Sequence, residues 1–176
     1  DQEYDLIFVN WDHGMDYIQR NALVVEEVIK WVNQQKALSG STEKNVIIGQ
    51  SMGGVVSRYA LRDMEQRNLT HQVRLFVSHD APQQGANIPL SIQYMYRNAR
   101  NQLIKAPLYH VVKLFTSNHT AHKYLTILDQ PATSQLLVNR ANNNYDLDNA
   151  MHINFYNELN AKGYPKQNGI RNIAIS

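Results

Sequence analysis

The sequence predicts an α/β fold built on a parallel sheet, and three observations support this prediction. Short runs of β-branched and other apolar residues alternate along the chain with segments whose apolar residues recur at helical spacing. That alternation is typical of strand–helix–strand units with right-handed crossovers, in which helices cover a parallel sheet on both faces. The stretch "NVIIGQSMGGVV" also places a serine between two glycines where a strand pattern changes to a helix pattern.

The first predicted elements are a strand and a long helix. The apolar run from Leu6 to Val9 in "YDLIFVN" predicts a buried strand, and "WDHGMDYIQ" predicts the loop after it. A helix is predicted near residues 18 to 37, because its apolar residues share one face: Ala22, Val25, Val28, Ile29 and Val32.

Ser51 lies at the next strand-to-helix junction. Residues 46 to 48 predict the end of a buried parallel strand, and a helix pattern runs from Met52 to about Gln66. Gly49 and Gly53 flank the serine as G-x-S-x-G. A serine on such a sharp turn is strained, and the residues two positions away must be small to avoid a collision. The two glycines meet that requirement.

The position of Ser51 predicts a nucleophile. The helix after it directs free N–H groups and the positive end of its dipole at the serine hydroxyl. The N–H of Met52 is the predicted oxyanion-hole donor. The alternative is a glycine-rich turn in which Ser51 only caps the helix. The strand before the motif and the amphipathic helix after it favour the nucleophile.

The remaining chain divides into a helical stretch and a return to the sheet. A third strand is predicted over residues 73 to 77. Residues 91–160 show helix patterns, at residues 108–115, in "TSQLLVN" and in "NFYNELNA", with a polar loop "NRANNNYDLDNA" between the last two. We interpret 1–90 as the core, 91–160 as a helical cap or insertion, and 161–176 as a returning strand. Apolar helix faces are equally consistent with a lid and with plain core.

Both ends of the chain carry strand patterns, which predicts that the chain is truncated at both ends.

Composition narrows the function classes. The chain has 176 residues, 43% of them hydrophobic, a net charge of +2 and no cysteine. A nucleic-acid partner is not indicated by so weak a charge, and disulfides, cysteine metal sites and a thiol nucleophile are excluded. No apolar run approaches the roughly 18 residues of a membrane-spanning helix.

The segment "GQSMGGVVSRYAL" resembles the nucleophile elbow of lipase-like α/β-hydrolases, in which G-H-S-M-G-G is common. "HDAPQQGANIP" is similar to a segment that follows the next strand in these enzymes. Gln50 and Gln83 stand where the family often has histidine. "PATSQLL" resembles a cap stretch of GPI inositol-deacylase-like and bacterial secreted esterases, which slightly favours a secreted or periplasmic protein.

The resemblance implies a catalytic triad in the order serine, acid, histidine. Ser51 would be the nucleophile and the Met52 N–H half of the oxyanion hole. The resemblance places the second donor before Asp1, and the acid and histidine after Ser176. It implies no cofactor and no metal site.

Internal residues offer alternatives for the acid and the base. Ligands of open α/β sheets gather at the carboxyl ends of the strands, where His13, His79 and Asp80 follow predicted strands. Asp80 is the stronger candidate acid, because some lipases carry their acid after this strand; either histidine is a weaker candidate base. His110, His119 and His122 lie in the cap-like stretch, without a carboxylate at a zinc-ligand offset. His71 and His152 are interpreted as surface or boundary residues.

The leading functional interpretation is a serine hydrolase that cleaves carboxylic esters, lipid esters among them, through an acyl-enzyme on Ser51. The same elbow serves thioesterases and acyltransferases, and a hydrolase-like domain that has lost its base would be a non-catalytic binding module. The expected partner is a small-molecule or lipid ester; membrane contact is compatible with the sequence but not indicated by it.

Overall fold

The computed structural model describes residues 4–106 and 126–176, and its centre is a three-stranded parallel sheet. The strands are β1 (Asn45–Gln50), β2 (Val73–His79) and β3 (Arg171–Ile175), in the order β1-β2-β3. Gln50 is paired with His79, and His79 with Ile175, so the three carboxyl ends lie at one edge. The predicted parallel α/β fold is confirmed.

Two helices accompany the sheet. Helix α1 (Ile18–Ser39) ends at Gly40, whose φ of 74° allows the Ser41 N–H to reach the Lys36 carbonyl at 2.9 Å. Helix α2 (Met52–Gln66) follows β1 and is the most buried of the described helices, with Val55, Val56, Ala60 and Leu61 fully enclosed. Both helices were expected from their apolar periodicity, and both are confirmed.

Helices α1 and α2 cover only one face of the sheet. Helix α2 packs on the face that carries Gly49 and Ser78, and α1 packs against α2. On the other face, Val46 is 42% exposed, Ile48 69% and Ile175 48%. The expectation of helices on both faces is therefore wrong for the described residues. Sequence alternation does not reveal on which side each crossover helix packs.

The predicted first strand at residues 6–9 is also wrong. These residues form no strand, and the Leu6 and Phe8 side chains are 76% and 85% exposed. A parallel strand exists only where a neighbouring backbone completes its hydrogen-bond ladder. An apolar run by itself does not supply that neighbour.

A second compact unit covers Gln84–Asn157, while the first comprises Asp1–Gln83 and Glu158–Ser176. The second unit contains α3 (Leu90–Lys105), a 3₁₀ turn (Ile127–Asp129), α4 (Pro131–Leu136) and the first part of α5 (Ala150–Lys162). The sequence patterns predicted α4, α5 and the loop between them, but they missed α3. The helix predicted at residues 108–115 lies outside the described residues.

The second unit is held together by buried polar groups. Gln93 donates to the carbonyls of Ile88 (2.8 Å) and Asn139 (2.7 Å). Arg97, 1% exposed, donates to the Ala141 carbonyl at 2.8 Å and to Asp129 at 2.9 Å. These two are the only residues of α3 that are buried. No helix among the described residues is long and apolar enough to cross a bilayer.

Candidate active site

Ser51 occupies the junction between the carboxyl end of β1 and the first residue of α2. Its backbone angles are φ 50° and ψ −129°, a left-handed conformation that residues with a side chain rarely adopt. The Ser51 N–H donates to the His79 carbonyl at 2.9 Å, and the Ser51 carbonyl accepts from the Gly54 N–H at 3.0 Å. The backbone is thus fixed on both sides of an exposed serine side chain.

The geometry of Ser51 differs from that of a capping serine. An N-cap residue usually has extended backbone angles, and its side-chain oxygen accepts from an N–H in the first helical turn. Ser51 has a positive φ and makes no side-chain capping hydrogen bond to α2. Met52 opens α2, and its N–H belongs to the groups to which a helix offers no internal acceptor.

Two glycines make this turn sterically possible. A Cβ at Gly49 would lie 2.5 Å from the Gly54 Cα and 2.6 Å from the Gly53 carbonyl oxygen. A Cβ at Gly54 would lie 2.5 Å from the Ala81 Cβ. At Gly53, by contrast, a Cβ would meet nothing within 4 Å. The expectation that Gly53 must be small to avoid a collision is wrong, and Gly54 takes that role, because it packs between the sheet and the loop after β2.

A second strained residue lies beside Ser51. Asp80 follows β2 directly, has a φ of 45°, and donates its N–H to the Ile175 carbonyl at 2.6 Å. Since Gln50 pairs with His79, Ser51 and Asp80 come next at two adjacent strand ends, where strands are about 4.8 Å apart. The side chains of His79 and Asp80 are exposed. Two left-handed residues with side chains therefore adjoin at one edge of the sheet.

The loop after Asp80 is bound to the protein interior through Gln83. The Gln83 side chain donates to the Ser78 hydroxyl at 2.8 Å and accepts from Arg58 at 3.2 Å. Arg58 is 2% exposed and also donates to the carbonyls of Gly163 (2.9 Å) and Leu159 (3.1 Å). Sequence reasoning missed Arg58; an arginine among apolar residues on the buried helix face was the available signal.

The other histidines lie in different surroundings. His13 is exposed in a loop that lines a cavity of about 380 Å³ together with Trp11, Asp16 and Arg20; Ser51 does not line this cavity. The loop is fixed because the Trp11 ring N–H donates to the Asn21 carbonyl at 3.0 Å. His152 belongs to the second unit and bonds with the Gln135 carbonyl at 3.0 Å.

The expectation of a surface or boundary position is wrong for His71. It is fully buried, with its Nε2 3.2 Å from Glu65. It precedes β2, at the amino end of the sheet, and Ser51 follows β1 at the carboxyl end. His110, His119 and His122 lie outside the described residues. Within residues 4–106 and 126–176, no group of three or more acidic or histidine side chains is arranged to hold a metal ion.

The parallel sheet, the helix that starts at its carboxyl edge and the strained residues at that edge define a hydrolase-like α/β domain. A family model described as PGAP1-like alpha/beta domain matches residues 12–121. That range covers more than half of the chain, so the chain belongs to this family, a hydrolase-like one. The match confirms the predicted α/β-hydrolase superfamily and the GPI inositol-deacylase-like resemblance. No curated protein and no solved structure matches the chain.

Proposed function

We propose that this domain is a serine hydrolase of carboxylic esters, lipid esters included, and that Ser51 is its nucleophile. The observation that carries the proposal is the backbone of Ser51, with φ 50° and ψ −129° at the start of α2. Such strain costs on the order of 1–3 kcal/mol and persists where the surrounding structure imposes it, most often at functional sites. The family membership supports a hydrolase-type reaction in general.

The proposed reaction has two steps. The Ser51 hydroxyl attacks the ester carbonyl, its proton passes to a base, and the alcohol leaves as an acyl-enzyme forms. The negative charge on the carbonyl oxygen is held by the Met52 N–H at the amino end of α2 and by a second donor. Water then attacks the acyl group, restores the serine and releases the acid.

Asp80 is the proposed orienting acid among the described residues. Its carboxylate is exposed at the carboxyl edge, next to the strand end that carries Ser51. A base must approach the serine oxygen to about 3 Å and be oriented by such an acid. His79, at the same edge, and His13, in the loop before α1, are the first histidines to substitute in a search for the base.

A fluorophosphonate probe tests the proposal on the complete protein. We expect covalent labelling of Ser51 in the wild type, and none in Ser51→Ala. Turnover of a short-chain ester is expected to fall by several orders of magnitude in that variant, as on removal of a triad nucleophile. Ser41→Ala, in an exposed loop, is the matched control and keeps wild-type labelling. Absence of labelling in a folded wild type would favour a non-catalytic binding domain.

We also propose that the described helices within residues 91–160 form a mobile cap, and hydrogen exchange tests this part. Helix α3 buries only Gln93 and Arg97, whereas α2 buries ten residues. Because protection follows burial and packing, we expect amide exchange at least about tenfold faster in α3 than in α2 and β2. Equal protection would contradict a mobile cap and favour plain core.

A further inference from the structure

We infer that Gln83 is a positioning residue of the serine site, which holds the strained corner at Asp80 beside Ser51. This inference rests on the proposed function and adds to it a residue that does not touch the reacting atoms. The residues from Asp80 to Gln83 form a loop, which we call the Asp80 loop.

The Asp80 loop is closed at its far end by Gln83. The Gln83 backbone N–H donates to the Ala81 carbonyl at 2.7 Å, which makes a tight three-residue turn around Pro82. From that turn the Gln83 side chain donates to the Ser78 hydroxyl at 2.8 Å and accepts from Arg58 at 3.2 Å. Both functional atoms of the amide are therefore used, one on the sheet and one on α2.

The anchor of this clamp is itself immobile. Arg58 is 2% exposed, and its guanidinium donates to the carbonyls of Gly163 and Leu159 at the end of α5. The ring of Tyr164 lies 3.9 Å from the guanidinium carbon, close enough for a cation–π interaction. A buried cation with this many partners has little freedom to move, so Gln83 is held by a fixed group.

The near end of the Asp80 loop is fixed as well. The Asp80 N–H donates to the Ile175 carbonyl at 2.6 Å. Ala81 packs closely on Gly54, because a Cβ added at Gly54 would lie 2.5 Å from the Ala81 Cβ. The φ of 45° at Asp80 is thus imposed from both sides. Strain of this kind relaxes when one constraint is removed.

Ser51 is coupled to the same corner through the backbone. Its N–H donates to the carbonyl of His79, the residue just before Asp80. A relaxation of the Asp80 backbone therefore moves the His79 carbonyl, to which the Ser51 N–H is hydrogen-bonded. A displacement of about 1 Å in a reactive site lowers rates by up to about 100-fold.

The alternative is that Gln83 only satisfies the buried Ser78 and Arg58. Loss of the side chain would then lower stability and leave the reactivity of the folded protein unchanged. Labelling rate and folded fraction, measured separately, distinguish the two roles.

The experiment measures the second-order rate constant of fluorophosphonate labelling in the complete protein, at a temperature where every variant is folded. Gln83→Leu removes both side-chain hydrogen bonds at similar size, and we expect labelling about 10- to 100-fold slower. Gln83→Glu keeps the acceptor for Arg58 and accepts from the Ser78 hydroxyl, so we expect a rate within about threefold of wild type. Gln35→Leu, on the exposed face of α1, is the control for the leucine substitution and keeps the wild-type rate.

Ser78→Ala removes the hydroxyl that accepts the Gln83 hydrogen bond, and it replaces Gln83→Leu in the test if that variant does not fold. We expect labelling of Ser78→Ala to be about 2- to 10-fold slower than in the wild type. A wild-type rate in folded Gln83→Leu or, if that variant does not fold, in folded Ser78→Ala overturns the positioning role and leaves the serine hydrolase intact. No labelling in the wild type overturns the hydrolase and the positioning role together. An NMR coupling constant that keeps a positive φ at Asp80 in Gln83→Leu would also overturn the clamp.

Discussion

The two ends of β2 place histidines in opposite surroundings. At the carboxyl end, His79 is exposed and followed by Asp80 in a strained conformation, with the strained Ser51 on the adjacent strand end. At the amino end, His71 is fully buried and both ring nitrogens have partners. One strand therefore connects an edge with exposed polar side chains to an edge where a histidine is buried and both of its ring nitrogens are hydrogen-bonded.

The protonation state of His71 follows from its partners. The Val73 N–H donates to Nδ1 at 2.9 Å, so Nδ1 carries a lone pair and the ring proton lies on Nε2, facing Glu65. Burial lowers the pKa of His71 and outweighs the attraction of the carboxylate. Burial alone would raise the pKa of Glu65, but hydrogen bonds from the N–H groups of Gln167 and Lys166 hold it below its ordinary value.

The two ends of β2 differ in what their polar side chains contact: protein partners at the amino end and solvent at the carboxyl end. Polar groups of the amino end replace water with protein partners, which keeps β2, α2 and the segment before β3 together. Both ends carry a left-handed residue with a side chain, Gln72 at the amino end and Asp80 at the carboxyl end, but only at the carboxyl end are the side chains of Ser51, His79 and Asp80 left exposed. Three changes test this contrast, in order of expected effect.

The largest effect on stability is expected from filling the space beside the serine turn. Gly49→Ala and Gly54→Ala each place a Cβ 2.5 Å from another heavy atom, and we expect a loss of about 1–3 kcal/mol in the free energy of unfolding. Gly53→Ala is the matched control, because its Cβ meets nothing within 4 Å. We expect that variant to be as stable as wild type or up to about 1 kcal/mol more stable, because alanine favours the helix. Urea denaturation measures all three. Equal losses at the three glycines would show that close packing is not what the turn requires.

Glycine and alanine variants are expected to rank in opposite orders of stability at the strained Ser51 and at a serine inside a helix. The free energy of unfolding should be about 1 kcal/mol higher for Ser51→Gly than for Ser51→Ala, because glycine adopts a φ of 50° without steric cost. At Ser57, inside α2, the order should reverse, with glycine about 1 kcal/mol less stable than alanine. Thermal or urea unfolding of the four variants provides the comparison. If alanine were the more stable residue at both positions, Ser51 would not be strained.

The smallest effect is expected from the buried histidine, and it depends on pH. Below about pH 6.5 the unfolded chain takes up a proton at His71 that the folded protein resists, so the free energy of unfolding falls as the pH falls. His71→Gln removes this contribution. Between pH 7.5 and 5.5 we expect the wild type to lose on the order of 1 kcal/mol more than the variant. Identical pH slopes in the two proteins would contradict a neutral buried His71.

Much of the core could be predicted from residue patterns. Helices α1 and α2 follow from apolar periodicity, because a helix that buries one face must repeat its apolar residues at its own period. Short apolar runs located strands β1, β2 and β3, although Ile48 and Ile175 are exposed in the sheet. The same rule failed at residues 6–9, whose apolar side chains are exposed, and at α3, whose buried residues are the polar Gln93 and Arg97. Periodicity reports apolar burial, so it does not detect a helix that is held by buried hydrogen bonds.

The sequence by itself determined the parallel α/β fold and the location of Ser51 between a strand and a helix, since both depend on local pattern and on glycine spacing. Only the tertiary structure decided which glycines have no room for a Cβ and that Asp80 has a positive φ beside Ser51. It also decided that Gln83, hydrogen-bonded to Arg58, holds the Asp80 loop. These features arise from contacts between residues far apart in the chain. A backbone angle or a buried hydrogen bond of that kind is imposed by the surrounding packing and not by the residue's own neighbours in sequence.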